Sequence, residues 1–160
     1  MGKNISLDHL VINCSTDSAD FLAGTVNSDV YNMSAWEDAF FIVNLTTSDG
    51  TGTARFHINS STDVTPTSTH ACPYMYRQCL LSDTNSAMSA WTQATSSGFT
   101  SIAGDFQIYE LWLKSEDLYA GDSYIRFNST EIVNDPVGGS VSLIFANPRY
   151  GSEIAPNVLT

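Results

Sequence analysis

The alternation of apolar and polar residues predicts β-strands along most of the chain. The longest such run lies at residues 106–114, where every residue is compatible with a strand. A period of two divides its side chains between two faces: Tyr109, Leu111 and Leu113 on one, and Phe106, Ile108 and Trp112, interrupted by Glu110, on the other. Because a strand that faces solvent would have one polar face, we predict a central strand. Its first face should contact the core, and its second face a loop or a neighbouring subunit.

Five other segments show a strand-like pattern. They lie at residues 9–13, 39–47, 53–59, 124–129 and 141–146. With a period of two, the last four segments direct apolar side chains toward one core: Phe41, Val43 and Leu45, then Ala54, Phe56 and Ile58, then Ile125 and Phe127, then Val141, Leu143 and Phe145. Shorter strands are expected around Val30 and Tyr31 and within residues 87–95.

Turn signals separate these segments. Asp49 and Gly50 lie between the second and third segments, and an Asp-Gly pair in that position predicts a β-hairpin. Acidic residues at 115–118 and a Gly-containing stretch at 134–139 predict further turns. Pro148 should end the last strand, because proline lacks the N–H group that a sheet ladder needs.

The absence of helical periodicity indicates an all-β protein. We predict a single-domain β-sandwich or jelly roll of about seven or eight antiparallel strands, with extended N- and C-terminal segments. Residues 1–34 are expected to form an N-terminal arm and edge strands of this domain, residues 35–150 its core, and residues 151–160 an extended C-terminal tail. A length of 160 residues suits one such domain.

The charge balance restricts the class of partner. The net charge is −11, and only 6 of the 160 residues are Lys or Arg. Nucleic-acid binding requires basic side chains that displace counterions from phosphates, so neither nucleic acid nor an anionic membrane is an expected partner. Charged residues make up only 14% of the chain, and Ser and Thr are abundant. Such a surface suits packing against other proteins, including a basic one.

The cysteine count and the lengths of the apolar runs indicate the cellular compartment in which the protein is made. Cys14, Cys72 and Cys79 are an odd number, which argues against a disulfide framework. A reduced protein is the simpler interpretation, and a bond between Cys72 and Cys79 is the alternative. The N-terminus lacks the apolar segment of a secretory signal, and no apolar run approaches the roughly 20 residues of a membrane helix. We therefore expect a soluble protein made in a cytoplasm.

The residues that commonly carry catalysis or bind metals form no motif. His9, His57 and His70 are far apart, and the chain has no serine nucleophile elbow, zinc-protease motif or phosphate-binding loop. Six residues separate Cys72 from Cys79, whereas about two to four residues separate the cysteines of most zinc sites. We expect no catalytic residue, metal or cofactor.

Three tryptophans and two tyrosines raise the possibility of glycan binding. Trp36, Trp91 and Trp112, with Tyr74 and Tyr76, would form a platform for sugar rings if they shared an exposed face. The alternative is that they pack in the core and under loops. A glycan-binding β-sandwich module is thus an alternative function.

The aromatic segment at residues 70–81 lies between polar stretches and is expected to be a loop. Tyr74, Met75 and Tyr76 belong to residue types that are enriched at protein interfaces. These side chains would either contact a partner or fold back onto the protein's own sandwich.

The order of strands and turns resembles that of small proteins encoded beside the major capsid protein in tailed bacteriophages. The similar segments are a strand at 40–45, a return strand ending in a Ser/Thr/Asp loop at 54–63, a strand closed by an acidic turn at 106–118, a Tyr-x-Arg strand at 124–127 and a Gly-started strand at 138–150. The proteins of this family are capsid decoration, or cement, proteins with a jelly-roll-like fold. The resemblance covers residues 36–150.

The resemblance implies a structural virion protein. It would bind the outside of a phage capsid and stabilise the head by bridging major capsid protein subunits. Self-association is also implied, with a trimer favoured and a dimer as the alternative. The protein would be synthesised in the host cytoplasm and lie on the capsid exterior. The interface candidates are Tyr74, Met75, Tyr76, Phe106, Ile108 and Trp112.

Overall fold

The protein folds into two layers of β-strands. A computed structural model describes residues 9–13, 20–21, 23–48, 51–80, 87–104 and 106–149. Twelve strands lie within these residues: β1 His9–Asn13, β2 Thr25–Asn27, β3 Tyr31–Asn32, β4 Trp36–Ser48, β5 Thr53–Ser61, β6 His70–Ala71, β7 Tyr74–Leu80, β8 Thr92–Ala94, β9 Phe99–Thr100, β10 Gln107–Lys114, β11 Tyr124–Val133 and β12 Val137–Pro148. The same residues contain no α-helix, and the predicted acidic turn is a 3-10 turn at Ser115–Asp117.

The strands form two six-stranded antiparallel sheets. Sheet A has the order β1-β12-β4-β10-β7-β8. Sheet B has the order β2-β11-β5-β6, with β3 beside β11 and β9 beside β5. This arrangement confirms the predicted all-β sandwich. The twelve described strands exceed the predicted seven or eight. Seven of them have five or more residues, including β7, which lies in the segment predicted to be a loop, and the other five have only two or three.

β10 is an internal strand of sheet A, as predicted. It is hydrogen-bonded to β4 along one edge and to β7 along the other. The side chains predicted to face the core are all at most 2% exposed: Phe41, Val43, Leu45, Ala54, Phe56, Ile58, Tyr109, Leu111, Leu113, Ile125, Phe127, Val141, Leu143 and Phe145. The predicted facing is confirmed, since a register error of one residue would exchange the two faces of a strand.

Aromatic rings join the two sheets at the centre of the core. Phe127 of sheet B lies 6.0 Å from Phe41 of sheet A between ring centroids. Phe56 of sheet B lies 5.5 Å from Tyr109 of sheet A and 5.5 Å from Phe127. Aromatic pairs at such distances contribute about 0.5–1.5 kcal/mol each beyond the burial of their area. This cluster therefore fixes one sheet against the other.

The hairpin predicted at Asp49 and Gly50 is wrong. β4 and β5 are consecutive, but β4 lies in sheet A between β12 and β10, and β5 lies in sheet B beside β11. Because long partners occupy both edges of β4, β5 cannot pair with it, and the chain continues in the other sheet. Gly52 suits this crossing, since a Cβ atom there would lie 2.3 Å from the backbone oxygen of Asp135.

The segment at residues 70–81, expected to be a loop, contains two strands instead. β6 pairs with β5 in sheet B, and β7 pairs with β10 and β8 in sheet A. Pro73 separates the two strands, at a point where the chain passes between sheets and no ladder donor is needed. The strand expected within residues 87–95 is limited to β8.

The turn between β8 and β9 also changes sheets, and it requires glycine. Gly98 has a φ of +73°, and a Cβ atom there would lie 2.2 Å from the backbone oxygen of Phe56. Gly121 has a φ of +94°, yet no atom lies within 4 Å of the corresponding position. The two glycines thus share a left-handed backbone but differ in available space.

Some sequence-based predictions concern residues that the structure does not describe. These are the state of Cys14, the extended tail at residues 151–160 and the first eight residues of the N-terminal arm. In the described part of the chain, no helix has the length and apolar character needed to cross a bilayer.

Replacing Phe127 with Ala should lower the free energy of unfolding by about 3–5 kcal/mol, because it opens a cavity where the two sheets meet. Urea denaturation followed by circular dichroism measures this change. Phe106→Ala is the matched control, since Phe106 is 53% exposed. Its effect should stay within about 0.5 kcal/mol. Equal losses in the two variants would contradict the position assigned to Phe127.

Gly98→Ala should destabilise the protein more than Gly121→Ala. A positive φ costs a non-glycine residue about 1–2 kcal/mol at either position. Only at residue 98 would the new methyl group also collide with a backbone carbonyl. Thermal unfolding of both variants tests this difference, and equal decreases in Tm would show that the close approach to β5 is absent.

Candidate functional site

The outer face of sheet A, which points away from sheet B, carries a group of adjacent apolar side chains. Opposite residues of antiparallel strands point to the same side of a sheet, so the register identifies each row. One row comprises Met75 of β7, Trp112 of β10, Phe40 of β4 and Ile144 of β12. Ile42 and Ile108 lie in the next two rows. We call these six residues the apolar band.

The apolar band is only partly covered within the described structure. Ile108 is 40% exposed, and the other five residues are half-buried. Phe106, immediately before β10, is 53% exposed. Phe106, Ile108 and Trp112 therefore lie on the side of β10 that is not the core, as the sequence predicted. Neighbouring exposed apolar side chains of this kind are typical of binding surfaces.

Trp112, in the row of the band that crosses four strands, is held in one orientation. Its indole Nε1–H donates to Asp38 Oδ1 at 2.7 Å, and its ring stacks on Phe40 at 5.9 Å with an interplanar angle of 10°. Asp38 is 8% exposed, and its other carboxylate oxygen accepts a hydrogen bond from Asn147 Nδ2. A carboxylate removed from water needs such partners. Asp38 therefore fixes the indole plane.

Glu110, the carboxylate that interrupts the apolar face of β10, is paired. Arg77 lies directly opposite on β7, and its Nε and Nη2 atoms are both 2.5 Å from Glu110 Oε2. The guanidinium also lies over Trp91, 4.5 Å from the ring centroid. Trp91 in turn contacts Trp112 at 5.6 Å. Trp91 thus covers the β7 side of the band, and the remainder is only partly covered by the residues that the structure describes.

The three candidates on β7 do not form a shared loop surface, because strand alternation separates them. Tyr74 and Tyr76 occupy the inner face and Met75 the outer face. Tyr74 is 1% exposed and donates its hydroxyl to the Phe56 backbone oxygen at 2.7 Å. Burial raises the pKa of Tyr74 well above its usual range. Tyr76 stacks on Phe99 at 3.9 Å. Both tyrosines therefore pack within the sandwich, and of the three only Met75 is in the band.

The three tryptophans also separate. Trp36 is 8% exposed and stacks on Phe145 at 5.7 Å, inside the core. Trp91 and Trp112 lie together on the outer face, with an angle of 57° between their rings. The predicted platform of five aromatic residues is therefore not formed. Of the five, only Trp91 and Trp112 lie together on the outer face, where they could stack on a sugar.

A Ser–His–Asp grouping occurs where β5 and β6 meet the loop before β11. Ser60 Oγ donates to Asp122 Oδ2 at 2.5 Å, and His70 Nδ1 lies 2.9 Å from the same oxygen. The imidazole stacks on Tyr119 at 3.8 Å. A hydrolytic triad needs the imidazole between the hydroxyl and the carboxylate, whereas here the carboxylate is in the middle and Ser60 is 1% exposed. The grouping ties the loop to sheet B.

Cys72 lies beside this grouping, immediately after β6. Cys72 is a buried free thiol, so no disulfide joins it to Cys79. Burial raises the pKa of the Cys72 thiol, and a hydrogen bond with Ser60 acts in the opposite direction. Across the ranges that the structure describes, no three His, Cys, Asp or Glu side chains are placed to hold a metal ion.

Five residues of the outer face were missed as site candidates: Phe40, Ile42, Ile144, Asp38 and Arg77. The apolar second face of β4 was a signal for Phe40, because Phe40 and Ile42 lie on it in the sequence pattern. No local signal pairs Arg77 with Glu110 or Asp38 with Trp112. These pairs depend on which strands become neighbours.

Arg77→Ala should destabilise the protein by about 1–3 kcal/mol, because it leaves the Glu110 carboxylate without a partner at low exposure. Urea denaturation measures the loss. The double variant Arg77→Met, Glu110→Leu is the control, since it removes both charges and keeps apolar contacts with Trp91. It should recover most of the stability. A double variant that is no more stable than Arg77→Ala would contradict a coupled pair.

The comparisons with known proteins identify no family for this chain. No protein-family model matches it. No curated protein matches it either. The crystal structure of the SPBc2 prophage-derived protein YomS aligns with 88% of this chain and 94% of that chain, at 8% sequence identity and a TM-score of 0.47. A likeness at this level carries no argument about function.

Proposed function

We propose that this chain is a structural virion protein that binds the outside of a tailed-phage capsid and bridges major capsid protein subunits. The outer face of sheet A is the proposed contact surface. The supporting observation is the apolar band, which crosses four adjacent strands and is only partly covered. The pattern of strands and turns that resembles capsid decoration proteins supports the same function.

The rigidity of the outer face suits this function. β4, β10 and β12 each have hydrogen-bonded neighbours on both edges, so the backbone beneath the band is fixed. Trp112 is further held by Asp38 and Phe40. A surface that is already ordered loses little conformational entropy when a partner binds. A protein that clamps capsid subunits benefits from such a preformed face.

The charge of the chain indicates what the partner surface should offer. The net charge of −11 favours approach to a basic surface over approach to a second copy of this acidic chain. We therefore assign the apolar band to the capsid and not to contacts between copies of this chain. The trimer implied by the family resemblance would use other surfaces, and light scattering on the purified protein measures its presence.

Ile108→Asp should reduce binding to capsids at least about tenfold, because it places a charge in the proposed apolar interface. Co-sedimentation with phage heads that lack the protein measures the bound copies. Ile132→Asp is the matched control, since Ile132 is 48% exposed on β11 of sheet B. This variant should bind as the unmodified chain does. Thermal unfolding of both variants checks that they remain folded.

Two outcomes would overturn the proposal. The first is the absence of the chain from purified virions, as measured by mass spectrometry. The second is equal capsid binding by the Ile108→Asp and Ile132→Asp variants, which would place the contact elsewhere.

Glycan binding is the second candidate, and the proximity of Trp91 and Trp112 favours it. Two rings at 5.6 Å on one face can contact a sugar together. Retention on a polysaccharide resin that is lost in Trp91→Ala, together with unchanged capsid binding, would favour this function over the first.

A further inference from the structure

A depression lies beside Trp112, at the end of the apolar band. It has a volume of about 400 Å³ and is lined by Glu37, Asp38, Trp112, Lys114, Ser115 and Glu116. Three of these side chains are acidic and one is basic. One wall is the indole ring whose plane Asp38 fixes. The depression therefore combines an aromatic surface with an excess of negative charge.

Lys114 already places a cation on this aromatic surface. Its Nζ atom lies 5.5 Å from the centroid of the Trp112 ring and 3.2 Å from Glu116 Oε1. The hydrogen bond and the charge of Glu116 raise the pKa of Lys114. The Lys114 and Glu116 side chains are 45% and 73% exposed, so solvent competes for both. The ammonium group is thus an occupant that a stronger cation can replace.

The outer face contains a second group of a cation, a tryptophan and a carboxylate, and this second group is less exposed to solvent. Arg77 lies over Trp91 at 4.5 Å and is 2.5 Å from Glu110. Glu110 is only 15% exposed, and the two residues are directly opposite in the sheet register. Both sites combine a cation, a tryptophan and a carboxylate. The Arg77 site is completed by the chain itself, whereas the Trp112 site is open to solvent on the Lys114 side.

We propose that the depression beside Trp112 binds an arginine side chain from a basic segment of the partner protein, and that this arginine displaces Lys114. A guanidinium is planar, is less strongly hydrated than an ammonium and can stack on the indole while it pairs with Glu116. The net charge of −11 favours a basic partner over a second copy of this chain. This inference rests on the proposed function, because it specifies the chemistry of the partner that the outer face binds.

The test uses a short peptide, acetyl-Gly-Arg-Gly-amide, titrated into the full chain. Binding is followed by the NMR signal of the Trp112 indole N–H group. The same peptide with citrulline in place of arginine has a similar shape without the charge. We expect a saturable shift with the arginine peptide that weakens as salt is added, and no shift with the citrulline peptide.

Two pairs of variants separate the site from the overall charge. Lys114→Gln should strengthen peptide binding about two- to fivefold, because it removes the competing cation. Arg149→Gln changes the net charge equally but lies outside the depression, so it should have a smaller effect. Glu116→Gln should weaken binding about two- to fivefold, and Asp29→Asn, between β2 and β3, is its control.

The outcomes of these experiments distinguish a failure of the arginine site from a failure of the proposed capsid-binding function. Equal shifts with both peptides, or weaker binding in Lys114→Gln, would overturn the arginine site. If Ile108→Asp still abolished capsid binding in that case, the proposed function would stand without the arginine site. Specific peptide binding at Trp112, combined with normal capsid binding by Ile108→Asp, would instead support the arginine site and contradict the proposed function.

Discussion

The pairing of β10 with β4 and β7 fixes the position of each side chain on the outer face of sheet A. The register is enforced from the other side of the sheet, where Tyr109, Leu111 and Leu113 are fully buried. A shift of one residue would expose these three side chains and push Glu110 into the core. The row of Met75, Trp112, Phe40 and Ile144 is therefore a consequence of packing on the opposite face.

The aromatic cluster between the sheets makes that packing specific. Phe127 contacts Phe41 across the core, and Phe56 contacts Tyr109. Tyr109 is also held through its hydroxyl, which accepts a hydrogen bond from the Ile102 amide at 3.0 Å and donates one to Gln107 Oε1. Burial raises the pKa of Tyr109 to about 12, so the side chain is a neutral donor near physiological pH. The two hydrogen bonds of the buried hydroxyl thus fix the orientation of the Tyr109 ring, which its apolar contacts alone would not do.

The polar residues of the outer face serve two different purposes. Arg77 and Glu110 neutralise each other inside the sheet and allow apolar neighbours to lie close to a charge pair. Asp38 instead uses both carboxylate oxygens to fix Trp112 and Asn147. Lys114 and Glu116 at the sheet end are exposed and only weakly constrained. The Arg77–Glu110 pair is therefore closed and the Lys114–Glu116 pair is open, and the arginine proposed above would enter at the open pair.

The candidate site was only partly predictable from the sequence. Period-two alternation located Ile108 and Trp112 on the outer face, because the facing of a strand follows from its own residues. Tyr74, Met75 and Tyr76 were grouped by residue type in a segment expected to be a loop, and the structure separates them because that segment is a strand. The partners Arg77 and Asp38 were not predictable, because each lies on a different strand from the residue it contacts.

Local sequence patterns were enough to predict the fold class, the five longest strands and most of the side chains that fill the core. These features depend on local alternation and on the burial of apolar area, both of which are present in short segments. Which strands are neighbours became clear only from the folded arrangement. The Asp-Gly turn after β4 indicated a hairpin, yet β4 already has β12 and β10 on its two edges, and β5 completes the other sheet. Strand order is a competition among distant segments for the same hydrogen-bonding edges, and a local pattern contains no information about its outcome.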